Sequence, residues 1–213
     1  MIISDYASLQ SSVLSVLNRS NDGDAATYVT MWIQLAEVEI AAEVARWPIR
    51  HSETVDRDFT IDAETVDIPD GMIKLRGNIK INGDVTYNIE YRSFEELNRL
   101  GLINSVNGKP CFYTLEGDKF KFSPAPDSAY SATIIYTSLP SLSDSNTTNW
   151  MLTNFPNVYL HATLAQAERF FRDDSAYTAD TQIWKSLYES MYAAYGAGAS
   201  SGSLQMRTDN GNP

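Results

Sequence analysis

The sequence contains little cysteine and histidine. Cys111 is the one cysteine among 213 residues, and His51 and His161 are the two histidines. One cysteine excludes an internal disulfide bond, and a chain of this length can bury a core without one. The histidines lie far apart in sequence and belong to no HExxH motif or cysteine–histidine cluster. We therefore expect folding in a reducing compartment, with no metal site and no cofactor.

Cations are also scarce. Lysine and arginine number 16 against 27 aspartates and glutamates, which gives a formal net charge of −11. A surface of this sign repels phosphate groups, so the composition argues against a protein that binds DNA or anionic lipid. Residues 119–122 alternate lysine with phenylalanine, which predicts a strand with its phenylalanines inward and its lysines outward.

Long uncharged apolar runs are absent as well. The longest apolar stretch, residues 28–47, is interrupted by Glu37, Glu39 and Glu43, which are too costly for a membrane span. The N-terminal residues are acidic, whereas a secretory signal begins with basic residues. Hydrophobic residues make up 43% of the chain and charged residues 20%, as in folded globular domains. We expect neither export nor membrane insertion.

Helical patterns occupy the first fifty residues. A first helix is predicted after Ser4 or Asp5, either of which is a good N-cap. A second helix is predicted from about residue 25 to 47, capped by Asp24 and ended by Pro48, whose ring disfavours helical geometry in the residue before it. The periodic spacing of apolar residues supports both helices.

The apolar stripe of the second helix is unusually wide. Trp32, Leu35 and Val38 extend it well beyond one narrow face. A helix that is apolar over more than one face is covered on more than one side. We therefore expect this helix to have neighbours on several sides.

The middle third of the chain shows the period of two that is typical of strands. Asn82 and Gly83 form a strong hairpin signal, because both tolerate positive φ. Ser93 and Glu96 form a capping box at the start of a short helix. The predicted elements are strands at 73–81 and 85–91, a helix at 93–100, a hairpin over 111–122 and a strand at 131–137.

Two further helices are predicted towards the C-terminus. Pro156 suits the first turn of a helix that ends near Asp173, and a last helix spans about residues 179–195. The last helix carries four large aromatic residues at helical spacing, a type that is enriched at protein interfaces. These residues are either core residues or candidates for a subunit interface: Trp184, Tyr188, Tyr192 and Tyr195.

These patterns together predict an α+β fold. The outer helices, two N-terminal and two C-terminal, are expected to form a bundle of about four helices with a central β-rich insertion. The glycine- and serine-rich tail is expected to be a flexible C-terminal arm, since it has too few apolar residues to offset its ordering entropy. The predicted divisions are residues 1–50 and 139–195 for the bundle, 51–138 for the insertion and 196–213 for the arm.

No catalytic motif has its required context. Residues 198–202 match the letters GxSxG, but the serine hydrolase motif needs a strand before the serine, and here a helix precedes it. A pair of facing carboxylates would suit a small carbohydrate-active or cell-wall-degrading enzyme. Its candidate acids lie in the β-rich insertion, at Asp58, Asp62 and Glu90, and this class remains an alternative.

The C-terminal half carries a series of short motifs. They are YTSLPSLS at 136–143, NWMLTNFPNVYLHATLAQAE at 149–168, FRDD at 171–174 and WKSLY at 184–188. This order, with its Y-x-x-L-P-x-L, N-W, P-x-x-Y-L, D-D and W-x-x-x-Y elements, resembles the head-to-tail adaptor (connector) proteins of tailed bacteriophages. The resemblance covers roughly residues 136–192.

The resemblance implies a structural protein without catalytic residues. It implies a ring, in this family a dodecamer, that docks beneath the portal protein, binds a tail or nozzle protein below and surrounds the DNA channel. DNA would then pass without specific binding, and the protein would be assembled in the host cytoplasm and reside at the head–tail junction of the virion. A tail terminator protein is a further alternative.

The resemblance also assigns a role to the C-terminal arm. Adaptors of this family commonly extend such an arm into the portal. The candidates for portal contact in the arm are Leu204, Met206 and Arg207.

Overall fold

The computed structural model describes residues 2–83, 85–101 and 106–196 of the chain. This described part contains six α-helices and eight β-strands, which confirms the predicted α+β class. The helices are α1 (Tyr6–Val16), α2 (Gly23–Arg46), α3 (Phe94–Arg99), α4 (Trp150–Asn154), α5 (Pro156–Phe171) and α6 (Asp174–Tyr195). The strands are β1 (Glu53–Ile61), β2 (Thr65–Asp67), β3 (Met72–Leu75), β4 (Ile79–Ile81), β5 (Tyr87–Tyr91), β6 (Phe112–Glu116), β7 (Lys119–Ser123) and β8 (Tyr130–Ser138).

The N-terminal helices begin at side-chain caps. Asp5 caps α1 and accepts a hydrogen bond from the backbone N–H of Ser8 at 2.8 Å, as predicted. The cap of α2 is Asp22, which accepts from the N–H groups of Asp24 and Ala25. The prediction that Asp24 is this cap is wrong, because Asp24 already lies in the first turn. The helix ends at Arg46, just before Pro48.

The helices share one hydrophobic core. α5 packs against α2 and α6, and α1 packs against α2 and α5. This core therefore combines side chains from the first fifty residues with side chains from the last fifty-five described residues. Burial of each large apolar side chain contributes about 1.5–3 kcal/mol relative to leaving it exposed. Its fully buried members include Leu9, Trp32, Ile33, Tyr159 and Trp184.

The strands form one curled eight-stranded sheet with a separate hydrophobic core. Its order is β1-β8-β4-β5-β6-β7-β2, and β3 also pairs with β8. The β5–β6 pair is parallel and the other pairs are antiparallel. Phe120 and Phe122 are buried in this core, while Lys119 and Lys121 form ion pairs with acids on neighbouring strands and loops. The predicted inward and outward alternation over 119–122 is thus confirmed.

One predicted element of the middle third, the strand over 73–81, has different bounds in the structure. The strand expected over 73–81 is divided into β3 and β4, because Gly77 between them takes a φ of +77° that ends regular pairing. The hairpin around Asn82 and Gly83 is confirmed by the antiparallel β4–β5 pair.

The C-terminal helices also differ in part from expectation. α6 begins at Asp174, five residues earlier than predicted, since Asp173 caps it by accepting from the N–H of Ala176 at 3.0 Å. The short helix α4 was not predicted at all. It lies between the sheet and α5, immediately after the loop of residues 139–149.

Candidate interaction surfaces

A buried polar network connects the loop after the sheet to the helical core. Glu37 is 6% exposed, and its Oε1 accepts hydrogen bonds from the N–H of Leu142 at 2.7 Å and from the Tyr159 hydroxyl at 3.0 Å. Burial raises the pKa of Glu37, because desolvation disfavours its charge more than these bonds favour it. Burial, and then the nearby Glu37, raise the pKa of Tyr159 well above its usual value. The network holds the loop in place and has no access to a substrate.

The motifs that carry the resemblance have structural roles at this junction. Asn149 caps α4, accepting from the N–H of Leu152, and its amide donates to the Tyr159 hydroxyl at 2.7 Å and to the carbonyl of Pro140 at 2.8 Å. The indole N–H of Trp150 donates to the carbonyl of Ser138 at 2.8 Å. The N-W and P-x-x-Y-L elements therefore join the end of the sheet to the helices.

The four aromatic candidates of the last helix are divided between core and surface. Trp184 and Tyr188 are buried in the chain's own core, and the Tyr188 hydroxyl donates to the carbonyl of Trp47 at 2.7 Å. Tyr192 is half-buried, with its ring centroid 5.2 Å from that of Trp47. Tyr195 is exposed. Trp184 and Tyr188 thus have almost no surface to offer a second chain, whereas Tyr192 and Tyr195 have some.

A surface cavity of about 430 Å³ lies between the C-terminal halves of α2 and α6. Two acids and two bases line it, together with aromatic side chains, so it carries charges of both signs. Among the described residues, its lining includes no histidine, serine or cysteine. Its lining residues are Glu43, Arg46, Trp47, Lys185, Tyr188, Glu189 and Tyr192.

The acids proposed for an enzyme site lie elsewhere. Asp58, Asp62 and Glu90 are all exposed, and none of them lines the cavity between α2 and α6. Glu90 forms an ion pair with Arg92 at 2.9 Å. Within the described part of the chain, no two of these three acids contact each other as a catalytic pair would.

Helix α2 has a second apolar face that the described residues leave uncovered. α2 has α1, α5 and β3 as neighbours and Trp32 is buried, but Leu35 and Val38 are 46% and 69% exposed, so the described residues cover only part of the wide apolar stripe. Tyr28 and Met31 are 41% and 37% exposed on the same side. We call the surface of Tyr28, Met31, Leu35 and Val38 the outer face of α2.

Comparison with known protein families places the whole fold in one family. A family model described as SU10 adaptor protein matches residues 4–209. The chain belongs to the SU10 adaptor protein family. The match includes both pairs of outer helices and the sheet, and it confirms the adaptor resemblance noted in the sequence. No curated protein matches the chain significantly.

Membership in an adaptor family supports a structural role and interaction with other phage structural proteins. Within the described ranges, no cluster of three or more histidine, cysteine, aspartate or glutamate residues is arranged to hold a metal ion. In the same ranges no helix is long and apolar enough to span a bilayer. The arm candidates Leu204, Met206 and Arg207, like the GxSxG letters at 198–202, lie outside the described residues.

Sequence reasoning missed the outer face of α2 as a separate surface. Leu35 and Val38 were noted only because they widen the apolar stripe. The signal that distinguishes them is their position opposite the buried residues Ile33 and Ile40, which can be calculated from helical periodicity.

Proposed function

We propose that this protein is the head-to-tail adaptor of a tailed bacteriophage. In this proposal it forms a ring, a dodecamer, beneath the portal protein, connects the capsid vertex to the tail and surrounds the DNA channel. The observation that carries the proposal is the family match over residues 4–209, nearly the whole chain. The motifs of the C-terminal half support the same assignment.

The organisation of the chain in this proposal has two units and an arm. Residues 1–50 and 139–195 would form a four-helix bundle from α1, α2, α5 and α6, with the sheet of residues 51–138 as an insertion. The two separate hydrophobic cores support this division. The contacts of α5 with α1, α2 and α6 support the bundle.

The charge of the chain suits a DNA channel. With a formal net charge of −11, the protein does not attract phosphate, and DNA would slide through the ring without being held. In contrast, a basic lumen would bind the genome as it passes. Specific DNA binding is therefore no part of the proposed function.

Portal contact is proposed for the arm of residues 196–213. Its composition offers few apolar residues for a core of its own, so a partner would supply its ordering energy. The contacts proposed within it are Leu204, Met206 and Arg207. The sheet insertion and the exposed ring of Tyr195 are proposed for contact with neighbouring copies or with the tail or nozzle protein.

The test is reconstitution with the portal of the same phage. We expect native mass spectrometry to detect a complex of one portal ring with about twelve copies of the 23.8 kDa chain. A variant lacking residues 197–213 should keep its circular dichroism spectrum but bind the portal at least tenfold more weakly, since the deletion leaves every described helix intact.

Two results would contradict the proposal. If the full chain stays monomeric beside the portal and instead binds the end of a tail tube, it is a tail terminator. If it hydrolyses glycan or peptidoglycan as a monomer, it is an enzyme, although nothing in the described residues favours that alternative. A truncated chain that binds the portal as tightly as the full chain would refute the role of the arm alone.

A further inference from the structure

The outer face of α2 is apolar along one line of the helix. Tyr28, Met31, Leu35 and Val38 follow one another at steps of three, four and three residues, which places them on one side of an α-helix. All four are substantially exposed. The opposite side of α2 already packs into the helical core through Val29, Ile33, Ala36, Ile40 and Val44. The chain thus exposes a second apolar stripe on its longest helix.

This face also carries little charge. Every exposed position of α2 between residues 26 and 45 is uncharged, and Glu37 is buried while Glu39 and Glu43 are half-buried. Asp24, one turn before Tyr28, is exposed at the N-terminal end of the same line. The uncharged surface is about 29 Å long at the helical rise of about 1.5 Å per residue. Exposed helix faces normally carry charged residues, because these keep them in water.

The neighbouring helix extends the same surface. Helix α1 has no charged residue from Tyr6 to Val16, and its Gln10 side chain donates to the Thr30 hydroxyl of α2 at 3.4 Å. At the other edge, the exposed ring of Phe170 lies 4.9 Å from Tyr28, centroid to centroid. The apolar stripe therefore has uncharged side chains of α1 at one edge and the aromatic ring of Phe170 at the other.

Charge identifies the kind of partner. Two copies of a chain with net charge −11 repel each other. Their contact is therefore least unfavourable where it places few carboxylates of the two copies close together. A nucleic acid needs cations, and residues 26–45 of α2 include no lysine or arginine. A basic protein would be attracted to more acidic surfaces instead, since the exposed positions of this stretch carry no carboxylate.

We infer that the outer face of α2 is the surface on which a second copy of this chain docks. The inference rests on the proposed function, because a ring requires contact between copies. In a closed ring the contact is heterologous, so the outer face of one copy meets a different surface of the next. Val38 is the most exposed member of this face and lies at its C-terminal end.

The first test is site-specific photo-crosslinking in the complex of the full chain with its portal. Val38 is replaced by p-benzoylphenylalanine, and Val16 serves as the matched control, since it is also a valine and is 59% exposed. Val16 lines a separate surface cavity with Pro156 and Leu160 at the start of α5, whereas the outer face lies beside Phe170 at the end of that helix. We expect illumination at position 38 to give a covalent species of twice the 23.8 kDa chain mass, at least tenfold more than at position 16. Equal yields at the two positions would overturn the inference.

The identity of the adduct distinguishes the other occupants. A species with the mass of chain plus portal would show that the portal covers this face. A link from position 38 to residues 197–213 of the same chain, found by peptide mapping without a gain in mass, would show that the arm covers it. Either result overturns the inference but leaves the adaptor function standing, whereas a wild-type chain that never joins the portal refutes the function itself.

The second test changes the charge of the face. Val38→Glu places carboxylates in the contact and should lower the yield of the assembled ring at least tenfold, while Val16→Glu, with the same change of charge, should leave it near the wild-type yield. Circular dichroism and thermal unfolding check that both variants fold, as expected for exposed positions. A Val38→Glu protein that is folded and assembles normally would refute the proposed contact.

Discussion

The Glu37 network makes a quantitative prediction about the junction between the loop and the helices. We consider two changes, Glu37→Gln and Tyr159→Phe. Glutamine keeps an acceptor oxygen for Leu142 and Tyr159 but removes the titrating group. Phenylalanine removes the hydroxyl that donates to Glu37 at 3.0 Å and accepts from Asn149 at 2.7 Å. The two variants therefore separate the charge of the network from its hydrogen bonds.

The cost of Tyr159→Phe follows from the bonds that remain. A hydrogen bond to a charged group contributes about 1.5–3 kcal/mol. Glu37 keeps its bond from Leu142, and Asn149 keeps its bond to Pro140, so neither group is left without a partner. We expect a loss of about 1.5–2 kcal/mol, near the lower end of that range. For a domain of this size it corresponds to a fall in Tm of about 3–8 °C.

The effect of Glu37→Gln depends on pH, and its sign follows from the raised pKa. Glu37 has a folded-state pKa above the ordinary value of 4.5. Protonated Glu37 therefore contributes its full stabilisation to the folded wild type below pH 4.5. This contribution is lost as the pH rises through the folded-state pKa of Glu37. Glutamine does not titrate. The free energy of unfolding of the wild type, relative to the variant, should thus decrease as the pH rises above 4.5.

Urea unfolding followed by tryptophan fluorescence measures this difference, since Trp32 and Trp184 lie in the helical core. The titration runs from about pH 4 to about pH 8, the range in which a raised carboxyl pKa affects stability. Glu39→Gln, on the same helix and outside the network, is the control for loss of one negative charge. The reasoning is refuted if Glu37→Gln and Glu39→Gln change with pH in the same way.

Two further substitutions test the packing around this core. Gly71→Ala should lower the free energy of unfolding by at least about 2 kcal/mol, because the added Cβ would lie 2.9 Å from the Cα of Pro140. Gly77→Ala should lower it by only about 1 kcal/mol, since Gly77 also has a positive φ but has open space around it. Equal losses in urea unfolding would show that the contact does not matter. Tyr188→Phe should cost about 1 kcal/mol by removing the bond to the Trp47 carbonyl, and an unchanged Tm would show that this bond adds no net stability.

The elements that sequence predicts best are those whose ends have a local chemical cause. Asp5 caps α1, Pro48 follows α2, and Pro156 begins α5, and each acts on the residues next to it. Strand pairing has no such local cause. That β8 pairs with β1, β3 and β4, and that β5 and β6 run parallel, depends on contacts between distant segments. The five-residue helix α4 offers too few positions for a period to be recognised.

The same reasoning explains why the interface candidates needed the structure. Apolar periodicity predicts that a side chain is covered, but it does not distinguish cover by the same chain from cover by another. Trp184 and Leu35 both fit a periodic stripe, yet Trp184 is buried in the helical core, where α6 packs against α5, whereas Leu35 is 46% exposed. The difference lies in where the helices pack, which is a property of the whole fold.

The distribution of charge helps to distinguish these two kinds of cover, which periodicity does not. A face that packs inside its own chain and a face that meets another copy are equally apolar, but only the second stays exposed in the single chain. In a chain with net charge −11, a helix whose exposed positions are all uncharged over about 29 Å, from residue 26 to 45, is a feature that solubility alone would not produce. The side of α2 opposite Ile33 and Ile40 combines both properties, and this combination, more than the aromatic content of α6, indicates where copies of the adaptor meet.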